Sequence, residues 1–78
     1  MFKHYITPAE IGAIVRTARK SQKLRQDQLA GAANVGLRFI VDLEAGKPTA
    51  QIGKALTVLA ALGVTLEVKV PEARGATP

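Results

Sequence analysis

Few residues in this 78-residue chain could do covalent chemistry, whereas many could hold a polyanion. His4 is the single histidine and there is no cysteine, so a thiolate metal site cannot be built. No carboxylate pair, nucleophile–base set or metal-ligand cluster is spaced for work. Gly31, Asn34 and Gly36 suit turns and lack the spacing of a phosphate-cradling loop. Catalysis, a cofactor and a metal centre are therefore not expected. Charge points elsewhere, since 11 basic residues against 6 acidic leave a net +5. Between Arg16 and Lys47 the cations Arg16, Arg19, Lys20, Lys23, Arg25, Arg38 and Lys47 face only Asp27, Asp42 and Glu44. Such an excess suits a polyanion, whose counterions are released on binding. The alternative is a basic surface that serves only solubility.

The elements that would position these cations are legible in order. Thr7 and Glu10 have the spacing of a capping box, and Pro8 falls where a missing N–H costs nothing. Ile6 and Ile11 have the spacing of a hydrophobic staple. A first helix is expected to about Lys23, with Ile11, Ile14, Val15 and Ala18 on its inner face. Leu24 should be a buried loop residue. A second helix over about Gln26 to Ala33 carries Leu29, Ala30 and Ala33 inward, and Asn34 supplies a left-handed turn. Val35 then plugs the gap. From Gly36 a third helix runs to about Ala45 with Ile40 and Leu43 inward, and Gly46 ends it. These two short helices around a tight turn form a helix-turn-helix pattern, whose second helix can enter a DNA major groove.

Thr49 is a plausible cap for a fourth helix over Ala50 to Leu62, with Ile52, Ala55, Leu56, Leu59 and Leu62 on one stripe and Gly63 as its stop. Residues 64–70 alternate apolar and polar without a fault, which reads as a half-buried strand. Pro71 ends it, and a disordered tail is expected over residues 71–78. The fold class is thus mainly α, one domain over residues 1–70. A lone strand leaves its ladder groups unpaired, so Val64, Leu66, Val68 and Val70 are expected to pair with the same strand of a second copy. An antiparallel register centred on Val68 sets Glu67 against Lys69, and one centred on Leu66 sets it against Thr65. A domain this small often needs such a partner. Residues 1–5 lack the apolar core of a secretion signal, and the apolar run from Ala55 to Leu66 is too short for a bilayer. A cytoplasmic location is expected.

With these residues in place, the chain resembles the Xre/Cro-type helix-turn-helix family over roughly Ile14 to Gly63. The string from Gly36 to Lys54, with its Arg-Phe and Gly-Lys-Pro-Thr-Ala-Gln elements, is closer still to the HipB-like (Y4mF-type) antitoxin regulators. The resemblance implies a lambda-repressor-like bundle of four helices, double-stranded DNA with a palindromic operator as ligand, a homodimer paired through a strand after helix 4, and a HipA-like kinase toxin as partner. It implies that Gln26, Lys47 and Arg25 contact phosphate, a role a helix N-terminus favours for Gln26. It implies that Arg19 and Glu44 form a partly buried ion pair joining helices 1 and 3. Leu37, Arg38, Val41 and Asp42 match the positions that face base edges. An arginine there can grip guanine bidentately, leucine and valine can touch thymine methyls, and aspartate can accept from cytosine. Phe39 is open between packing on helix 2, sugar-phosphate contact and a protein partner.

The chain departs from the family pattern at three places. Gly36 and Arg25 stand where Ser or Thr usually caps the helix, and Leu37 and Val41 replace polar readers, which implies modest sequence specificity. The rival reading is the same fold used only as a protein-binding module, without DNA.

Overall fold

The computed structural model describes residues 6–71; the expectations for His4, Phe2, Tyr5 and most of the tail lie outside them. Four helices follow one another: α1 (Pro8–Ser21), α2 (Gln26–Ala33), α3 (Leu37–Glu44) and α4 (Ile52–Ala61). The α1 start is fixed by side chains. Thr7 Oγ1 accepts from the Glu10 amide at 3.1 Å, and Glu10 Oε1 accepts from the Thr7 amide at 2.8 Å. Ile6 stays 60% exposed, so it adds little to this start as a staple.

Every helix ends in the same way. The chain turns through a left-handed residue, Lys23, Asn34, Gly46 or Gly63, with φ of 60°, 56°, 81° and 73° in turn. The next amide then bonds back to the last turn: Leu24 to Arg19, Val35 to Ala30, Lys47 to Asp42 and Val64 to Leu59, all within 2.9–3.1 Å. This is the Schellman arrangement, which satisfies carbonyls the helix itself cannot. It ends α1 at Ser21, two residues before the expected Lys23, because Lys23 itself is the left-handed residue. A side chain with a Cβ there carries some strain that glycine would not.

The core gathers Val15, Leu29, Ala30, Ala33, Ile40, Leu43, Ala55, Val58, Leu59 and Leu62, with Val15, Leu29, Ile40 and Val58 fully buried. Each large aliphatic side chain buried so completely contributes about 1.5–3 kcal/mol. Leu24, Val35 and Val64, brought back by their turns, pack against this cluster from outside. Thus α3 packs on both α1 and α2, and α2 also packs on α4. At the α1–α3 crossing the backbones nearly touch. A Cβ on Gly12 would overlap the Leu43 carbonyl oxygen and sit 2.9 Å from that of Glu44.

Two expectations change. α4 begins at Ile52, capped by Gln51 without a side-chain bond, so Thr49 is not its cap and Ala50 is not in it. The Ala50 amide instead bonds to the Lys47 carbonyl in a turn. The helix is also rotated from the expected stripe: Ala55, Val58, Leu59 and Leu62 face inward, whereas Ile52 is 75% and Leu56 49% exposed. Both stripes have helical spacing, and contact with α2 selects the one containing Val58. The strand is the second change. Among the described residues no strand forms, and Leu66, Val68 and Val70 lie exposed. A ladder needs a second strand, and the described residues offer none.

Gly12 and Gly31 should therefore respond oppositely to alanine. Gly31 has open space around its would-be Cβ, so Gly31→Ala should gain up to about 1 kcal/mol from helix propensity. Gly12→Ala should lose about 1–3 kcal/mol because backbone must move. Urea denaturation of both variants checks this, and two shifts of the same sign would contradict the close α1–α3 approach.

Candidate nucleic-acid interface

The site is built outward from one buried pair. Arg19, on α1, reaches Glu44 at the end of α3 through two contacts, Nε to Oε2 at 2.6 Å and Nη2 to Oε1 at 3.0 Å. Its Nη1 donates to the Leu24 carbonyl at 2.8 Å, so the guanidinium also holds the α1–α2 turn. The two side chains are 10% and 4% exposed. Burial alone would raise the Glu44 carboxyl above its ordinary pKa. Hydrogen bonds from Arg19 and Gln26, with the charges of Arg19 and Arg16, outweigh that and hold it below. The Arg19 pKa is raised, chiefly by its hydrogen bond to Glu44. Removing one partner of a pair this buried costs about 3–5 kcal/mol, because the other is left charged and unpaired. The ion pair implied by the resemblance is thus present, and its place is structural.

Glu44 has a third partner. Gln26 Nε2, at the first position of α2, donates to Glu44 Oε1 at 3.2 Å. This fixes the carboxamide at the mouth of the α2 N-terminus while its second amide hydrogen stays available for an anion. Nearby, Arg25 is 71% exposed and pairs with Asp27, Nε to Oδ1 at 3.0 Å. That contact lowers the Asp27 pKa. Gln28 Oε1 accepts from the Arg25 amide at 2.8 Å, so this helix start is capped from within although Arg25 cannot cap it.

On α3 the readers expected from sequence do share one outward face. Arg38 is 85% exposed and Leu37 48%, while Val41 and Asp42 are half-buried beneath them. Asp42 is not free. Arg38 Nε lies 3.3 Å from its Oδ1, and Lys47 Nζ lies 3.5 Å from its Oδ2. Exposed ion pairs of this kind stabilise by about 0.2–1 kcal/mol at most, so they are easily exchanged. Phe39 packs against the core, and Lys54 of α4 stands over its ring at 5.9 Å from the centroid. Of the three options open for Phe39, packing is seen, against the core, with the ring half-buried.

In the sequence Gln26, Arg25, Arg38 and Lys47 read as separate donors; folding supplies a carboxylate beside each of them. The Arg38–Asp42 spacing of four residues on a helix was a legible signal for one such contact. Lys54 over Phe39 had no signal, since only the folded chain, with α3 and α4 both packed on α2, brings them together. Among the described residues, no group of three or more His, Asp or Glu side chains could hold a metal ion. No helix there is long and apolar enough to cross a membrane.

Comparison with known proteins decides the family. A helix-turn-helix family model matches residues 15–69. The chain belongs to the Xre-type helix-turn-helix family. It is 65% identical over 74 residues to an uncharacterized HTH-type transcriptional regulator, y4mF, of Sinorhizobium fredii (strain NBRC 101917 / NGR234), covering 95% of this chain and 97% of that one. Its fold matches that of HipB in an O4 20mer complex, with a TM-score of 0.76 at 14% identity, over 91% of this chain and 100% of the other. A HipB variant in an O2 20mer complex matches at the same TM-score and identity, over 92% and 100%.

The depressed Glu44 pKa fixes a sign for acid stability. A carboxylate whose pKa is lower folded than unfolded stabilises above its unfolded value and ceases to as pH falls through the folded one. Glu44→Gln should therefore be clearly destabilised at neutral pH. The gap from the parent chain should narrow as pH drops from about 5 towards about 2, where Glu44 itself becomes neutral. Urea midpoints at several pH values measure this, and a gap independent of pH would place the loss elsewhere.

Proposed function

We propose that this chain is a sequence-specific DNA-binding transcriptional repressor, acting as a dimer in the cytoplasm. One observation carries the reading: α3 holds Arg38 at 85% exposure on an outward face, between the α2 start at Gln26 and the turn at Lys47. Membership in a helix-turn-helix family, and the likeness to a relative described as a transcriptional regulator, support it. In this reading Arg38 grips guanine O6 and N7, and Leu37 and Val41 meet thymine methyls. Asp42 lies within the same base-facing surface. Gln26, Arg25 and Lys47 engage phosphates on either side and set the docking angle.

The second copy is assigned to residues 64–70. Leu66, Val68 and Val70, at 41%, 82% and 82% exposure, are apolar side chains left exposed among the described residues. Antiparallel pairing with the same segment across a two-fold axis, with Val64 included, would cover them and supply the missing ladder. The operator would then be palindromic, with half-site centres about 34 Å apart or a multiple of it. We further propose that the repressor is the antitoxin of a HipA-like kinase toxin. The resemblance of residues 36–54 to HipB-like regulators and the HipB-like fold support this.

Binding to the chain's own promoter fragment should be tight at low salt and fall steeply as salt rises. Arg38→Ala should weaken promoter binding by about 1–3 kcal/mol and scrambled-DNA binding by less, through the loss of one charge alone. Fluorescence anisotropy on the two duplexes tests both. Absence of DNA binding at low salt would favour the protein-binding reading.

Glu67→Pro should abolish dimerisation, since proline removes a ladder donor. Light scattering reads the mass directly; an unchanged dimer would exclude pairing through this segment.

A further inference from the structure

We infer that Asp42 is a positioning residue, which holds Arg38 and Lys47 as one unit and so sets how well the chain distinguishes its operator from other DNA. The inference rests on the DNA-binding reading above and deepens it: Asp42 acts through its neighbours instead of reading a base itself.

The cap of α3 is the first support. In each of the four helix ends, the residue after the left-handed one is folded back over the last turn. In three of them that residue is apolar, Leu24, Val35 or Val64, and packs against the core, the contact that usually accompanies this cap. At α3 it is Lys47, and its ammonium meets the Asp42 carboxylate at 3.5 Å. The backbone brings the two residues together. The Lys47 amide bonds to the Asp42 carbonyl at 3.0 Å, and Gly46, at φ 81°, permits the turn. A Cβ on Gly46 lies within 2.9 Å of the Ala9 Cα, so α1 also holds the turn in place.

Arg38, one helical turn before Asp42, is the other end of the bridge. Its ion pair runs through Nε, at 3.3 Å from Oδ1. Contact on that edge leaves the end of the guanidinium available for a bidentate grip. The carboxylate lies below the tip: the Asp42 side chain is 23% exposed and the Arg38 side chain 85%. Both carboxylate oxygens already face a cation, Oδ1 towards Arg38 and Oδ2 towards Lys47. Kept in place, the carboxylate orients the arginine before binding and places a negative charge near the phosphates. That charge weakens attachment to any duplex, while the oriented arginine favours the right one.

The test uses the full chain, its own promoter fragment and a scrambled duplex of equal length, with circular dichroism to verify folding. Asp42→Ala should bind scrambled DNA about threefold more tightly, one repulsive charge having gone. It should bind the promoter up to about fivefold more weakly, the most that a pair worth about 1 kcal/mol can return, which lowers the ratio between the two. Asp42→Asn keeps an acceptor for Arg38 Nε and should retain part of the promoter affinity. In an Arg38→Ala background, Asp42→Ala should no longer weaken promoter binding. If the two substitutions weaken it additively while promoter preference persists, Asp42 is not acting through Arg38 and the inference fails alone. If the unmutated chain shows no promoter preference, the DNA-binding reading fails and takes the inference with it.

Discussion

The Arg19–Glu44 pair is the constraint on which the rest of the molecule depends. It joins the C-terminal turn of α1 to the last residue of α3, and it reaches α2 through Gln26 and the Leu24 carbonyl. A hydrophobic core is non-directional and would tolerate some sliding of three short helices. A bidentate guanidinium–carboxylate contact is directional and fixes both angle and register. The close approach at Gly12 has the same consequence, since the α1 backbone rests on the carbonyls of Leu43 and Glu44. The candidate reading face of α3 is therefore oriented by interactions on its hidden side.

The exposed side follows from how the helices end. Four left-handed turns cut the described chain into short rods and return the next residue to the helix just completed. At three of these turns the returning residue adds to the core. At the fourth, Lys47 is held near Arg38 by Asp42. The cations of the interface are thus balanced by neighbouring carboxylates, Asp27 for Arg25 and Asp42 for Arg38 and Lys47. These pairs are exposed or only half-buried, so they are weak and easily exchanged.

The likeness to HipB, strong in shape at 14% identity, has a physical basis in this economy of constraints. What the fold requires is a pattern: small or aliphatic residues at the crossings, turn residues that accept positive φ, and room where backbones meet. Many sequences satisfy those conditions, so a shared fold survives wide divergence. Function then rests on the few side chains mounted on the outside.

The sequence by itself determined the number and order of the helices, because caps and turn residues act locally. Thr7, Pro8, Asn34 and Gly46 each announce a boundary through their own backbone preferences. It also determined the inner faces of α2 and α3, and the Arg19–Glu44 pair was legible through family resemblance; on α1 the buried line runs through Gly12, Val15 and Arg19, with Ile11, Ile14 and Ala18 half-buried beside it. Only the tertiary structure decided the rotation of α4, since stripes through Ile52 and through Val58 are equally periodic and contact with α2 chose between them. It also ended α1 early, at a lysine that tolerates a left-handed backbone. The carboxylate that joins Arg38 to Lys47 needed the structure for the same reason: the contact crosses a turn whose path depends on α1. For residues 64–70 the alternation is clear in sequence, yet a ladder is a property of two strands, and among the described residues none forms.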